Sequence, residues 1–142
     1  MATSYQIGIL HLAHLLASVD GRISDEERAV LKQIQLEEGM DERTVNDFIR
    51  KADVTKEADL YREGIDYMNQ CTEEQKLCAF VHLYRLAEAD DSIHVREVRF
   101  LFYGVKSARL DFDDVLLAAQ LNSSNKRSQP AVKTVLRNLS WV

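Results

Sequence analysis

Apolar residues recur along most of this chain at the spacing of one helical face, and no stretch alternates as a strand would. From Ser4 to Val19, Ile7, Leu10, Ala13, Leu16 and Ala17 follow three- and four-residue steps, with Leu12, Leu15 and Val19 beside them. So broad an apolar surface predicts a helix touched on several sides. Gly21 supplies a turn. Ser24 with Glu27 has the capping-box pattern and opens a helix carrying Val30, Leu31, Ile34 and Leu36, which Gly39 ends. Asp41 predicts a short helix with Val45, Phe48 and Ile49, and Thr55 the start of another with Leu60, Tyr61, Ile65 and Met68. Thr72 with Gln75 is a second capping box, ahead of Leu77, Phe80, Val81, Tyr84, Leu86 and Ala87. A helix from His94 presents Val95, Val98, Leu101, Phe102 and Val105; Asp111 caps one with Val115, Leu116, Ala118, Ala119 and Leu121. Asn122 to Gln129 is polar and unpatterned and predicts a loop, after which Pro130 suits the first position of a last helix. The expected fold is all-α, a compact bundle of about seven or eight helices.

One stretch occurs twice. Asp20-Gly21-Arg22-Ile23-Ser24-Asp25-Glu26-Glu27 returns seventy residues on as Asp90-Asp91-Ser92-Ile93-His94-Val95-Arg96-Glu97. Leu16, Ala17, Asp20, Ile23, Glu27 and Leu31 recur as Leu86, Ala87, Asp90, Ile93, Glu97 and Leu101. The repetition predicts an approximate internal duplication of a helix–turn–helix unit, over about residues 5–38 and 73–107. Both copies belong to a single domain, 1–142, with a basic C-terminal helix over about 130–140.

Composition narrows the setting. One proline and five glycines are too few for a sandwich rich in tight turns. No apolar run approaches the roughly 18 residues of a membrane span, and Met1-Ala2-Thr3-Ser4 lacks the basic start of a signal peptide. The expectation is a cytoplasmic protein without direct membrane insertion. Cys71 and Cys78 have neither Cys-x-x-Cys nor metal-type spacing and read as free thiols. The net charge of −5 is uneven: Lys126, Arg127, Lys133 and Arg137 give the last segment +4, leaving 14 basic against 23 acidic residues elsewhere. So acidic a body argues against nucleic acid as a partner and is permissive for cations.

The candidate chemistry lies in the two acidic turns. Glu27 and Glu97 fall in the first turn of a helix, where the dipole favours a carboxylate. Asp20 and Asp90 face the unfavourable, negative end of the preceding helix. Backbone N–H groups of the turn can offset this, and so can a bound cation. If the two turns meet, the four carboxylates converge and raise each other's pKa unless a cation sits between them. An all-oxygen set suits Ca²⁺, Mg²⁺ or Mn²⁺. The spacing of seven from aspartate to glutamate is not that of an EF-hand.

Other motifs are weaker. His11 and His14 can share a helix face, but no second helix offers a matching pair, while His82 and His94 are single. No nucleophile elbow or glycine-rich phosphate loop is present. The aromatic residues fall beside aliphatics and read as core, and Trp141 as a residue folded back on the domain.

Leu16-Ala17-Ser18-Val19-Asp20-Gly21-Arg22-Ile23-Ser24-Asp25-Glu26-Glu27 resembles the signature of the TerB-like tellurite-resistance family, and Leu86 to Glu97 resembles its second half. The similarity spans roughly Tyr5 to Leu121, and Asp91 departs from the family's glycine. The resemblance implies an all-helical fold with acidic residues on one concave face, proposed to bind divalent cations. It also implies a stress response of the tellurite type beside membrane-associated partners. Asp20, Glu27, Asp90 and Glu97 match the motif. The expected protein is a non-enzymatic binding or scaffold module. The alternative is a protein–protein interaction domain whose acidic turns are purely structural, and a carboxylate-dependent hydrolase would need a substrate pocket as well.

Overall fold

Two helices, buried on nearly every side, set the arrangement. The computed structural model describes residues 2–19, 23–89 and 95–124. Among these there are seven helices and no strand: α1 (Ser4–Ala17), α2 (Asp25–Glu37), α3 (Glu42–Asp53), α4 (Glu57–Met68), α5 (Glu73–Ala87), α6 (Val95–Ser107) and α7 (Phe112–Ser124). Helix α1 packs on α4, α5 and α3, and α5 packs on α1, α7, α2 and α6. Leu12, Leu16 and Ala17 of α1 and Phe80, Leu83 and Leu86 of α5 are fully buried. Their broad apolar surfaces, legible in the sequence, are what let them serve as the two central rods. Each fully buried leucine or phenylalanine contributes about 1.5–3 kcal/mol to folding.

The start signals act as their residue types dictate. Thr3, Ser24 and Thr72 each accept a hydrogen bond from the N–H three residues on, and Gln6, Glu27 and Gln75 each accept one in return. The carboxylate of Asp41 accepts from the N–H of Thr44 at 2.7 Å to open α3. Helix α2 stops through Gly39 at φ +66°, with the N–H of Met40 bonded to the carbonyl of Gln35 at 3.0 Å. Seventy residues on, Arg109 has φ +62°, and the N–H of Leu110 bonds to the carbonyl of Val105 at 2.9 Å. Asp111 then stands before α7 as Asp41 stands before α3.

Several expectations need correction. Thr55 does not start α4: its hydroxyl donates to the carbonyl of Lys51 at 2.6 Å, closing α3, and α4 begins after Lys56. Leu36 is 70% exposed, because it stands two residues, about 200° round the helix, from the buried Ile34. Val95, Val98, Phe102 and Tyr103 of α6 are exposed rather than core, since α6 meets α5 through Leu101, Gly104 and Val105. The polar stretch predicted as a loop from Asn122 begins as helix, with α7 running to Ser124. The last helix from Pro130 and Trp141 lie outside the described residues.

Candidate functional site

Of the four acids singled out in the turns, Asp20 and Asp90 lie outside the described residues. Glu27 and Glu97 are placed at equivalent positions, each in the first turn of its helix, at 4% and 3% exposure. The carboxylate of Glu27 accepts from the N–H of Ser24 at 2.9 Å, and the N–H of Glu27 donates to the Ser24 hydroxyl at 3.1 Å. Ile23, just ahead, packs against the core. Both glutamates therefore point inward, and burial of a carboxylate costs free energy unless it is fully compensated.

A second group of polar side chains, which the sequence reading did not assemble, lies where α1, the end of α2 and α5 meet. Its hub is Glu38, the residue that caps the C-terminus of α2. Glu38 Oε2 accepts from the Tyr5 hydroxyl at 2.6 Å, lies 2.8 Å from His82 Nε2 and 3.9 Å from Cys78 Sγ. The amide of Gln6 donates to the Glu38 carbonyl at 2.9 Å, fixing the backbone that carries the carboxylate. Cys78 and His82 stand four apart on α5, one turn above each other on the same face, and both are buried. The ligand-type atoms of Glu38, Cys78 and His82 all lie within 4.8 Å of one another.

Behind His82 is a layer of charge. Arg85 donates to both carboxylate oxygens of Glu37, at 3.0 and 3.2 Å, and its Nη1 lies 3.2 Å from His82 Nδ1. Glu37 Oε2 is 3.8 Å from the same ring nitrogen. Burial alone would lower the His82 pKa, but hydrogen bonds and charge from Cys78 and Glu38 push it up to about 9. Two carboxylates facing one guanidinium leave a single negative charge, and an imidazolium balances it. The Tyr5 phenol, desolvated by burial and close to Cys78 and Glu38, is held well above its ordinary value and stays protonated.

The histidine pair on α1 has another role. His11 is fully buried; its Nδ1–H donates to the carbonyl of Ile7 at 2.8 Å, and Nε2 faces Lys51 Nζ at 3.2 Å. Its ring meets Phe48 edge-on at 4.8 Å, and His14 meets the same phenyl at 5.6 Å. Desolvation by burial lowers the pKa of both histidines. His11 is a core side chain and His14 a half-buried one, and both meet one aromatic ring.

Cys71 and Cys78 are free thiols, as their spacing suggests. The spacing of the two cysteines gave no hint of a metal-type group around Cys78, however, because the third donor comes from a residue forty positions earlier. The i, i+4 relation of Cys78 and His82 was the one local signal. No helix among the described residues is long and apolar enough to cross a membrane.

No curated protein and no solved structure matches the chain. A family model does, that of tellurite resistance protein TerB, over residues 6–103. The match runs from α1 into α6 and takes in both acidic turns, stopping short of α7. On a match of this extent, together with an all-helical bundle that places Glu27 and Glu97 alike, the chain belongs to the TerB family.

Proposed function

We propose that this TerB-family chain is a non-enzymatic binding module whose duplicated acidic turns hold a divalent cation. Asp20, Glu27, Asp90 and Glu97 would be the ligands, and Ca²⁺, Mg²⁺ or Mn²⁺ the ion. The observation that carries the reading is the burial of Glu27 and Glu97. A helix cap needs no burial: the equivalent cap residue Gln75 serves while exposed. Two carboxylates withdrawn from water at matching positions fit a hard cation, which would recover their lost hydration. The module would act in a stress response of the tellurite type by engaging a protein partner, in step with cation occupancy.

A second reading, an interaction domain with purely structural turns, draws on α6. Val95, Val98 and Phe102 follow one face at three- and four-residue steps and are exposed, with Leu117 and Leu121 of α7 exposed as well. Such a face suits a partner helix.

Calorimetric titration of metal-stripped protein with Ca²⁺ and Mn²⁺ separates the two. Binding that disappears in Asp20→Asn/Asp90→Asn supports the cation module. Absence of binding in the wild-type protein would leave the acids as caps and turn-makers.

A further inference from the structure

The group at Glu38, Cys78 and His82 has a different donor chemistry from the acidic turns. A thiol, an imidazole and a carboxylate are the set that binds zinc and its borderline-soft neighbours, not Ca²⁺ or Mg²⁺. We propose that Glu38, Cys78 and His82 form a zinc-type site, separate in its residues from the acidic turns and bridging α2 to α5.

Distance supports it. Around a tetrahedral zinc ion, sulfur, nitrogen and oxygen ligands stand about 3.3–3.6 Å apart, from bonds of about 2.0–2.3 Å. Here Glu38 Oε2 is 2.8 Å from His82 Nε2 and 3.9 Å from Cys78 Sγ, with no pair beyond 4.8 Å. Side-chain adjustments of about 1 Å or less bring all three onto one ion. Cys78 and His82 need no backbone movement relative to each other, being one turn apart on the same helix. A pocket lined by Tyr5, Glu38, Glu74 and Cys78 reaches two of the three donors from the surface.

The surroundings support it as well. On the side of the ring away from Glu38, His82 Nδ1 lies 3.2 Å from Arg85 Nη1 and 3.8 Å from Glu37 Oε2, so a carboxylate held by Arg85 stands behind the imidazole, as one commonly does behind a metal-bound histidine. Zinc binding replaces the protons on Cys78 Sγ and His82 Nε2 with Zn–S and Zn–N bonds beside a Zn–O bond from Glu38, the protons passing to solvent.

The test uses full-length, metal-stripped protein with Co²⁺ as a spectroscopic stand-in and Zn²⁺ as competitor. One equivalent of Co²⁺ should give a thiolate-to-cobalt charge-transfer band and tetrahedral ligand-field bands, both removed by Zn²⁺. Zinc uptake in weakly buffered solution should release protons as the Cys78 thiolate forms. Cys78→Ser should abolish the charge-transfer band while Cys71→Ser keeps it, and Glu37→Gln should weaken binding about 10–100-fold. His82→Gln, which preserves side-chain size and polarity, should weaken binding at least as much and covers the case of a poorly folded Cys78 variant. Asp20→Asn/Asp90→Asn should leave the bands intact, whatever it does to Ca²⁺ or Mn²⁺. Absence of a charge-transfer band in the wild-type protein overturns the proposal, as does a band that Cys71→Ser removes.

Discussion

Gly64→Ala tests how closely the bundle is packed. Helices α1 and α4 approach each other at Gly8 and Gly64. A methyl group on Gly64 would lie 2.8 Å from His11 Cβ, 3.1 Å from Leu12 Cδ2 and 3.3 Å from Leu12 Cγ. His11 Cβ is fixed to the α1 backbone, and its ring is held by Ile7, Lys51 and Phe48, so it cannot turn aside. The helices must part by roughly half an ångström, which forfeits about a quarter of the dispersion energy of the contacts involved. Overpacking of this kind costs about 1–3 kcal/mol, against about 1 kcal/mol gained from alanine's helix propensity. The expected net is a loss of up to about 2 kcal/mol, or a fall in Tm of up to roughly 8 °C for a domain of this size. Gly8→Ala is the internal control: its methyl would meet chiefly Met68 Cε, the free end of a flexible side chain, so its cost should be smaller. Chemical denaturation of both variants, with unchanged m-values, measures the difference. A stabilising Gly64→Ala, or a costlier Gly8→Ala, would refute the close-approach argument.

Two further outcomes follow from the polar groups. Because the folded His82 pKa of about 9 lies above the ordinary 6.5, its contribution is complete below about pH 6.5 and is lost as pH rises through 9. Metal-free protein should therefore lose up to about 3 kcal/mol of stability across that window. His82→Gln should flatten the decline, and an unchanged slope would show that the imidazolium is not held by Glu38 and Glu37. In Glu27→Gln the capping geometry survives, since glutamine serves equally in a capping box. The metal-free variant should stay within about 1 kcal/mol of wild type while losing Ca²⁺ or Mn²⁺ affinity in titration; equal loss of stability with unaltered binding would make Glu27 a cap alone.

Much of the architecture was local enough to read from the chain. Ser24 with Glu27, Thr72 with Gln75, Asp41 and Gly39 fix helix ends through bonds that span only a few residues, so residue type alone announces them. The burial of α1 followed from the width of its apolar surface. Thr55 misled because a hydroxyl that could open a helix can equally close the preceding one, here by donating to the Lys51 carbonyl in the last turn of α3. Leu36 and Phe102 misled because helical periodicity gives a face, while the neighbour that covers it is set elsewhere.

By itself the sequence determined the helices, their caps, the doubled acidic motif and hence the family, because each is written in residues close together in the chain or repeated along it. Only the tertiary structure decided which polar groups share a buried space. Glu38 meets Cys78 and His82 across forty or more residues through the packing of α2 and α1 on α5, and His11 meets Lys51 through that of α3. No periodicity encodes such meetings, since they depend on how helices stack and on where desolvation then leaves a charge needing a partner.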